Sequence, residues 1–275
     1  MKTLPKIREI AKDLVHDYTF SIPLSRKDTI DQAKAAKENG FDAVFALGGD
    51  GTVSDVIEGI RGQDIYGGVL PCGRGNDFVR NISGDLDTIK NIKALDNYTI
   101  KEIDVPTLNG YTFVNVAGVG FDAEVIRNLG TTNCRISGTF CYYWTVIRTI
   151  LGYKAEELSI TIDGKKYDGR FLLVAAANGP NFGGGMKIAP DADMNDGLLD
   201  ICLVENVSKM KFFNVFPKVY KGKHTTIKEI TMLRAKDMVI TSKGNPAIQG
   251  DGDLGNPLPA HITIGDVKVK LVVGI

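Results

Sequence analysis

The chain has 275 residues, 43% hydrophobic and 24% charged, the balance of a water-soluble globular protein of one large domain or two ordinary ones. Its 33 basic side chains offset 33 acidic ones, so no basic excess points to nucleic acid as a partner. No apolar run approaches the roughly 18 residues needed to span a bilayer, and any contact with lipid would come from the aqueous side.

Cys72, Cys134, Cys141 and Cys202 show neither a C-x-x-C pair nor zinc spacing. With no signal peptide in view they read as buried free thiols in a reducing, cytoplasmic compartment.

Residues 5–15 carry an amphipathic helical pattern that opens at Pro5. A strand is expected over 18–22, a helix over 29–39 ended by Gly40, and a short buried strand over 42–47. A helix to about Arg61 and a strand over 66–70 follow. This alternation runs to about residue 94 and predicts a parallel sheet with helices on its faces. The chain opens on a helix where a doubly wound domain opens on a strand, so the first strand of such a domain is expected to be missing.

After Asn97 the character changes. Strand-like runs cover 98–105, 111–117, 158–162, 170–177, 198–204, 227–234, 238–242 and 267–273, with turn signals at Asn109-Gly110 and Asp163-Gly164. Helical patterns remain at 121–129, 138–152 and 208–221. The expectation is an α/β domain over 1–96 and an antiparallel sheet or β-sandwich over 97–275.

Between the strand 42–47 and the next helix stand Gly48, Gly49, Asp50, Gly51 and Thr52, with Val53 and Ser54 entering the helical pattern. A strand, a glycine turn and a helix start aim backbone N–H groups and a helix dipole at an anion. Glycine lets a phosphate reach the main chain with no Cβ in the way. Thr52 is placed to cap the helix or to touch the phosphate. Asp50 would repel a phosphate unless a cation lay between, which suggests a metal-dependent site; a plain strand-to-helix turn is the alternative. Neither the Gly-Lys-Ser/Thr of a P-loop nor a G-x-G-x-x-G is present.

A second glycine loop, Gly73, Arg74, Gly75, Asn76 and Asp77, follows the strand at 66–70 and should leave the same sheet edge. Farther on, Gly183, Gly184 and Gly185 suit close backbone approach or a lid. The acidic run from Asp191 through Asp193 and Asp196 to Asp200 suits a hard cation or a simple acidic turn. Asp251 and Asp253 flank Gly252 and could supply a general base or form an exposed hairpin turn.

Taken in order, GGDGT (48–52), LPCGRGNDF (70–78), VNVAGVGFDA (114–123), NGPNFGGGMKIAP (178–190), DGLLD (196–200) and DGD (251–253) resemble the diacylglycerol-kinase-like family of bacterial lipid kinases, to which sphingosine kinases are related. The resemblance implies a nucleotide-binding α/β domain, a C-terminal β-sandwich and an active site in the cleft between them. It implies ATP held by 48–54 and 73–77, and a magnesium network joining Asp50, Asp77 and Asp196, with main-chain oxygens at Asp193 and Leu198. Asp253 would be the base, with Asp251 in support. The function implied is transfer of the ATP γ-phosphoryl group to a lipid hydroxyl, of diacylglycerol or a related lipid.

The chain departs from the family at three points: the Asn-Pro-x-Ser-Gly loop with its strand, Arg74 where a Thr is usual, and Asp253 where a Glu is usual. They leave a catalytically impaired lipid- or nucleotide-binding homologue as a competing reading. An NAD kinase, which shares GGDGT, is a further one.

The remaining feature is the run Lys209, Lys211, Lys218, Lys221, Lys223 and Lys228, with Phe212, Phe213, Phe216 and Tyr220 between them and no acid. It suggests reversible docking on an anionic membrane surface, or lysines on a solvated face with the aromatics packed inward. Tyr142, Tyr143 and Trp144 read as core or pocket wall. The implied partner is a membrane lipid substrate, nucleic acid is not expected, and a homodimer stays open.

Overall fold

Ala43–Gly48 and Tyr66–Pro71 are short, apolar and glycine-containing, and they lie side by side as parallel strands. The computed structural model describes residues 4–12, 17–83, 85–131, 138–255 and 257–274. The chain forms two compact units, Met1–Val105 with Asp266–Ile275, and Pro106–Gly265.

The first unit is a four-stranded sheet in the order Ala43–Gly48, Tyr66–Pro71, Lys268–Gly274, Tyr98–Asp104. The first three strands run parallel and the fourth is antiparallel. Helices Leu4–Ala11, Arg26–Ala35, Asp50–Ile60, Asp77–Ile82 and Thr88–Lys93 pack around it. Ser25 caps the second of these through Asp28 N–H, which starts that helix earlier than the sequence pattern did. Gly59 lets two helices touch, since a Cβ there would meet Ile30 O at 2.7 Å.

Two expectations change here. Residues 18–22 pair with no strand among the described residues, although Phe20 packs on the core formed by Ile7, Leu70 and Ile92. The unit break falls at 105/106 rather than 96, because Tyr98–Asp104 and Lys268–Gly274 hydrogen-bond along seven residue pairs from Tyr98↔Gly274 to Asp104↔Lys268.

The second unit is an eleven-stranded sheet, antiparallel in every pairing. Its long strand Lys165–Ala177 is covered on both faces, so its inner half reads as an unbroken apolar run. Val174 and Ala176 join one core with Ile201, Met238 and Ile262. Leu173, Ala175 and Ala177 face the opposite way, to a second core with Phe121, Val146 and Phe212. Helices Phe121–Thr131, Gly138–Gly152 and Lys209–Val219 contribute to that second core.

The run expected as one strand over 111–117 is broken into Tyr111–Thr112 and Val116–Gly120. The cause is a carboxylate, Asp251, that takes backbone N–H groups in between. Of the cysteines, Cys141 and Cys202 are buried but Cys72 is exposed, contrary to expectation, because it stands in the loop rather than the strand. Cys134 lies outside the described residues. No described helix is long and apolar enough to cross a membrane.

Candidate active site

The two glycine loops of the first unit meet because their strands are neighbours in register to Gly48↔Pro71. Both therefore leave the C-terminal edge of the sheet, where open α/β sheets bind ligands. Cys72 N–H donates to Gly48 O at 2.8 Å. A Cβ on Gly73 would collide with Gly49 Cα, and one on Gly49 would lie 3.1 Å from Gly73 Cα. Backbone rests on backbone. Gly73→Ala should therefore cost about 1–3 kcal/mol of stability through overpacking. A urea midpoint equal to the parent's would show that the two loops can separate without penalty.

Helix Asp50–Ile60 begins at Asp50, with Gly49 as its N-cap and no side-chain cap. Thr52 is thus not the cap; its side chain folds back over Gly48. Val53 and Ser54 are buried, and Ser54 Oγ donates to Asp50 O at 3.1 Å. That leaves the N–H groups of the first turn, which have no intrahelical acceptor, as the anion-facing feature. The space beside Gly51 is open.

Asp50 Oδ1 accepts the N–H of Phe78 at 2.8 Å, tying one helix start to the next. Asp50 Oδ2 lies 3.0 Å, and Asp77 Oδ2 3.5 Å, from the place a Gly75 Cβ would occupy. Asn76, left-handed at φ 51°, shapes this loop: its Oδ1 accepts from Gly73 N–H at 3.0 Å and its Nδ2 donates to Gly73 O at 3.1 Å. Arg74 is exposed at the same loop.

Two carboxylates converging on one glycine have the donor chemistry of magnesium, which binds one or two carboxylates and completes its shell with water and phosphate oxygens. Among the described residues no three His, Cys, Asp or Glu gather into a self-sufficient metal cage. In the second unit the side chains of Asp196 and Asp193 are engaged locally, which leaves the main-chain oxygens of Asp193 and Leu198 out of these contacts. Asp196 Oδ1 accepts Leu198 N–H at 3.0 Å, and Oδ2 pairs with Arg234. Asp193 Oδ1 accepts Asn195 N–H at 3.0 Å. Arg234 also lies 3.8 Å from buried Asp200, whose carboxyl is pushed up to about 6 by burial and by nearby Asp191.

The turn at 251–253 is firmly built. Asp251 accepts N–H groups from Val114 at 2.5 Å, Asn115 at 2.8 Å and Val116 at 3.1 Å. Its φ of 50° and the 92° of Gly252 make the tight turn that presents Asp253 at the surface. Gly252 N–H donates to Gln249 Oε1 at 2.9 Å, and Gln249 Nε2 donates to Asp122 Oδ2 at 2.8 Å. The chain of contacts joins the exposed Asp253 turn to a buried acid.

That acid lines a chamber with a cavity volume of about 90 Å³, walled almost wholly by apolar side chains such as Val125, Val146, Leu173 and Phe216. Its polar points are few. Asp122 Oδ1 has no hydrogen-bond partner, and burial pushes the carboxyl up to about 6 against the bonds from Gln249 and Ala123 N–H. His224 Nε2 sits 3.0 Å from Ile188 O and Nδ1 has no partner; burial lowers its pKa, so the ring is neutral. Phe182 and Met186, on either side of the left-handed Gly183, Gly184 and Gly185, close part of the wall.

The aromatic expectations divide. Phe212 and Phe216 wall the chamber with Tyr142, whereas Tyr143, Trp144 and Phe213 are exposed. The inward set answers the apolar chamber and the outward set does not. Lys209 donates to Leu151 O, and Lys211 holds Glu229 at 2.6 Å. Asp122, Gln249 and His224 were not singled out from sequence. Gly118 and Gly120, within a strand, were the available signal, since Cβ atoms there would strike Asp122 Oδ2 and approach Tyr153 Oη within 3.2 Å.

The first unit thus offers paired glycine loops on a mixed sheet, and the second an apolar chamber on an antiparallel sheet. The diacylglycerol kinase catalytic domain family matches residues 1–108, and the YegS C-terminal NAD kinase beta sandwich-like domain family matches residues 115–273. A diacylglycerol kinase of Mycobacterium tuberculosis is 33% identical over 240 residues, covering 83% of this chain and 76% of that protein. One from Bacillus subtilis is 29% identical over 239 residues, covering 85% and 78%. A crystal structure titled as a diacylglycerol kinase of Bacillus anthracis shares the fold at a TM-score of 0.69 with 22% identity, covering 98% of this chain and 88% of that one. The chain belongs to the bacterial diacylglycerol kinase family.

Proposed function

We propose that the protein is an ATP- and magnesium-dependent lipid kinase that phosphorylates the free hydroxyl of diacylglycerol or a closely related lipid. The observation that carries this reading is the almost wholly apolar lining of the chamber in the second unit. It suits an acyl chain and offers almost nothing to a dinucleotide, which disfavours the NAD kinase alternative. The first unit supplies the means to hold ATP, with phosphates on the first-turn N–H groups and the Gly49–Gly73 backbone contact. Asp50 and Asp77 would hold magnesium, which when bound offsets phosphate charge.

The base is Asp253. The lipid hydroxyl oxygen bonds to the γ-phosphorus as its proton passes to the Asp253 carboxylate, and the bond from γ-phosphorus to the β–γ bridging oxygen breaks to release ADP. Asp251 acts through the main chain, holding the turn by its three N–H bonds. Asp122, through Gln249, fixes the turn from the other side.

Incubation with ATP, magnesium and diacylglycerol in mixed micelles should yield a phosphorylated lipid, phosphatidic acid when the substrate is diacylglycerol. Label appearing in NAD and not in lipid would defeat the proposal. Nucleotide and lipid both bound, with no turnover by the parent protein or by Asp253→Glu, would favour the impaired homologue instead.

A further inference from the structure

Among the described side chains of helix Gly138–Gly152 the exposed ones are Tyr143, Trp144, Ile147, Arg148 and Leu151, a single face that is apolar but for one arginine. Trp144 is 53% and Leu151 55% exposed. A helix that packs by its apolar stripe normally turns its polar side to water. Here the buried side includes Thr145 and Thr149 while the outer side carries the large hydrophobics. The neighbouring helix Lys209–Val219 also exposes large hydrophobics, Met210 at 81% and Phe213, among Lys209, Asn214, Pro217 and Lys218. The two helices form one surface: Lys209 Nζ donates to Leu151 O, and the Tyr143 and Tyr220 rings lie 6.4 Å apart. Their inner faces, through Tyr142, Val146, Phe212 and Phe216, wall the apolar chamber.

Charge decides what covers this surface. No Asp or Glu occurs in 138–155 or in 206–228, which together hold Arg148, Lys154 and the six lysines from Lys209 to Lys228. Lys211 is paired with Glu229, but the other cations of these segments have no acid within the same spans, and exposed aromatic and aliphatic side chains in cationic segments match the interfacial region of an anionic leaflet. A second copy of the chain is a poor fit, because a two-fold contact would set these cations against themselves.

We infer that the paired outer faces of Gly138–Gly152 and Lys209–Val219 are a docking surface for anionic membrane, with Trp144, Ile147, Leu151 and Met210 entering the lipid interface. This places the chamber's own walls at the bilayer and rests on the lipid-kinase reading only for its purpose; docking itself needs no turnover.

Trp144 is the only tryptophan, so the test has a built-in probe. With phosphatidylglycerol vesicles its emission should shift to the blue and be quenched by brominated acyl chains. Phosphatidylcholine vesicles should give little change, and added salt should reverse the shift as the cations are screened. The double variant Ile147→Asp/Leu151→Asp, at exposed positions outside the chamber, should keep the parent's thermal midpoint and lose vesicle binding. Its rate on vesicle-borne diacylglycerol should fall by about tenfold or more, with its rate on a dissolved short-chain diacylglycerol within about twofold of the parent. An unmoved Trp144 spectrum, undiminished vesicle binding by the variant, or a dimer dissolved by the same substitutions would each overturn the inference. If the parent phosphorylates neither lipid, the kinase reading fails while the spectral result still decides the docking surface.

Discussion

Asp253→Ala is expected to slow phosphoryl transfer by about 10²- to 10⁴-fold, the usual contribution of a positioned general base, with little change in stability. Asp253 is exposed at the start of a two-residue strand, so its removal leaves no cavity. Asp251→Ala should also abolish activity, for a different reason. Three N–H groups from the buried residues Val114, Asn115 and Val116 would lose a charged acceptor at once. Hydrogen bonds to charged groups contribute about 1.5–3 kcal/mol each, so a loss of at least about 3 kcal/mol is expected. Asp251→Asn, which keeps one acceptor oxygen, should fall between. Measuring turnover and urea unfolding on the same three proteins separates the roles. Equal destabilisation by Asp253→Ala and Asp251→Ala would contradict the division of labour between them.

The second large effect is a dependence on pH. Burial pushes the Asp122 carboxyl up to about 6, against an ordinary value of 3.8. Below pH 3.8 the acid is protonated folded or unfolded, and it contributes no pH-dependent penalty. Between 3.8 and about 6 the unfolded chain has released this proton and the folded chain has not, so stability declines as pH rises. Above 6 the loss is complete and amounts to about 3 kcal/mol, at 1.36 kcal/mol for each unit of displacement. Asp122→Asn removes the titrating group. It should raise stability at pH 8 by up to that amount and have no such effect near pH 4. Chemical denaturation of both proteins across this range provides the check; a gain independent of pH would mean that Asp122 is not a buried acid.

The sequence was most legible where glycine and aspartate stand at a sheet edge. The loops at 48–52 and 73–77 could be expected together, because parallel neighbours deliver their C-terminal turns to one place. Thr52 could not be resolved between cap and ligand contact, since the choice depends on whether the helix starts at Asp50 or two residues later. On spacing Asp251 could be part of a catalytic pair or of an exposed hairpin turn; only the N–H groups of 114–116, more than a hundred residues away, show its structural use. Asp122 and Gln249 were hidden for the same reason. The aromatic helix Gly138–Gly152 misled in the opposite sense, because hydrophobicity alone does not say which face is buried.

The strand Lys268–Gly274 lies between Tyr66–Pro71 and Tyr98–Asp104, not at the margin of the first sheet. In the order of synthesis it emerges after all of Pro106–Gly265. On the ribosome the second unit can therefore mature while the first still has a gap at its middle, with Tyr98–Asp104 lacking its hydrogen-bonding neighbour. A nascent chain stalled before residue 268 would lack the strand that bridges the glycine-loop strands to the antiparallel edge. Completion of the first unit's sheet is thereby tied to successful translation through the whole of the second unit, which delays the finished glycine-loop edge until its neighbour in the chain has been made.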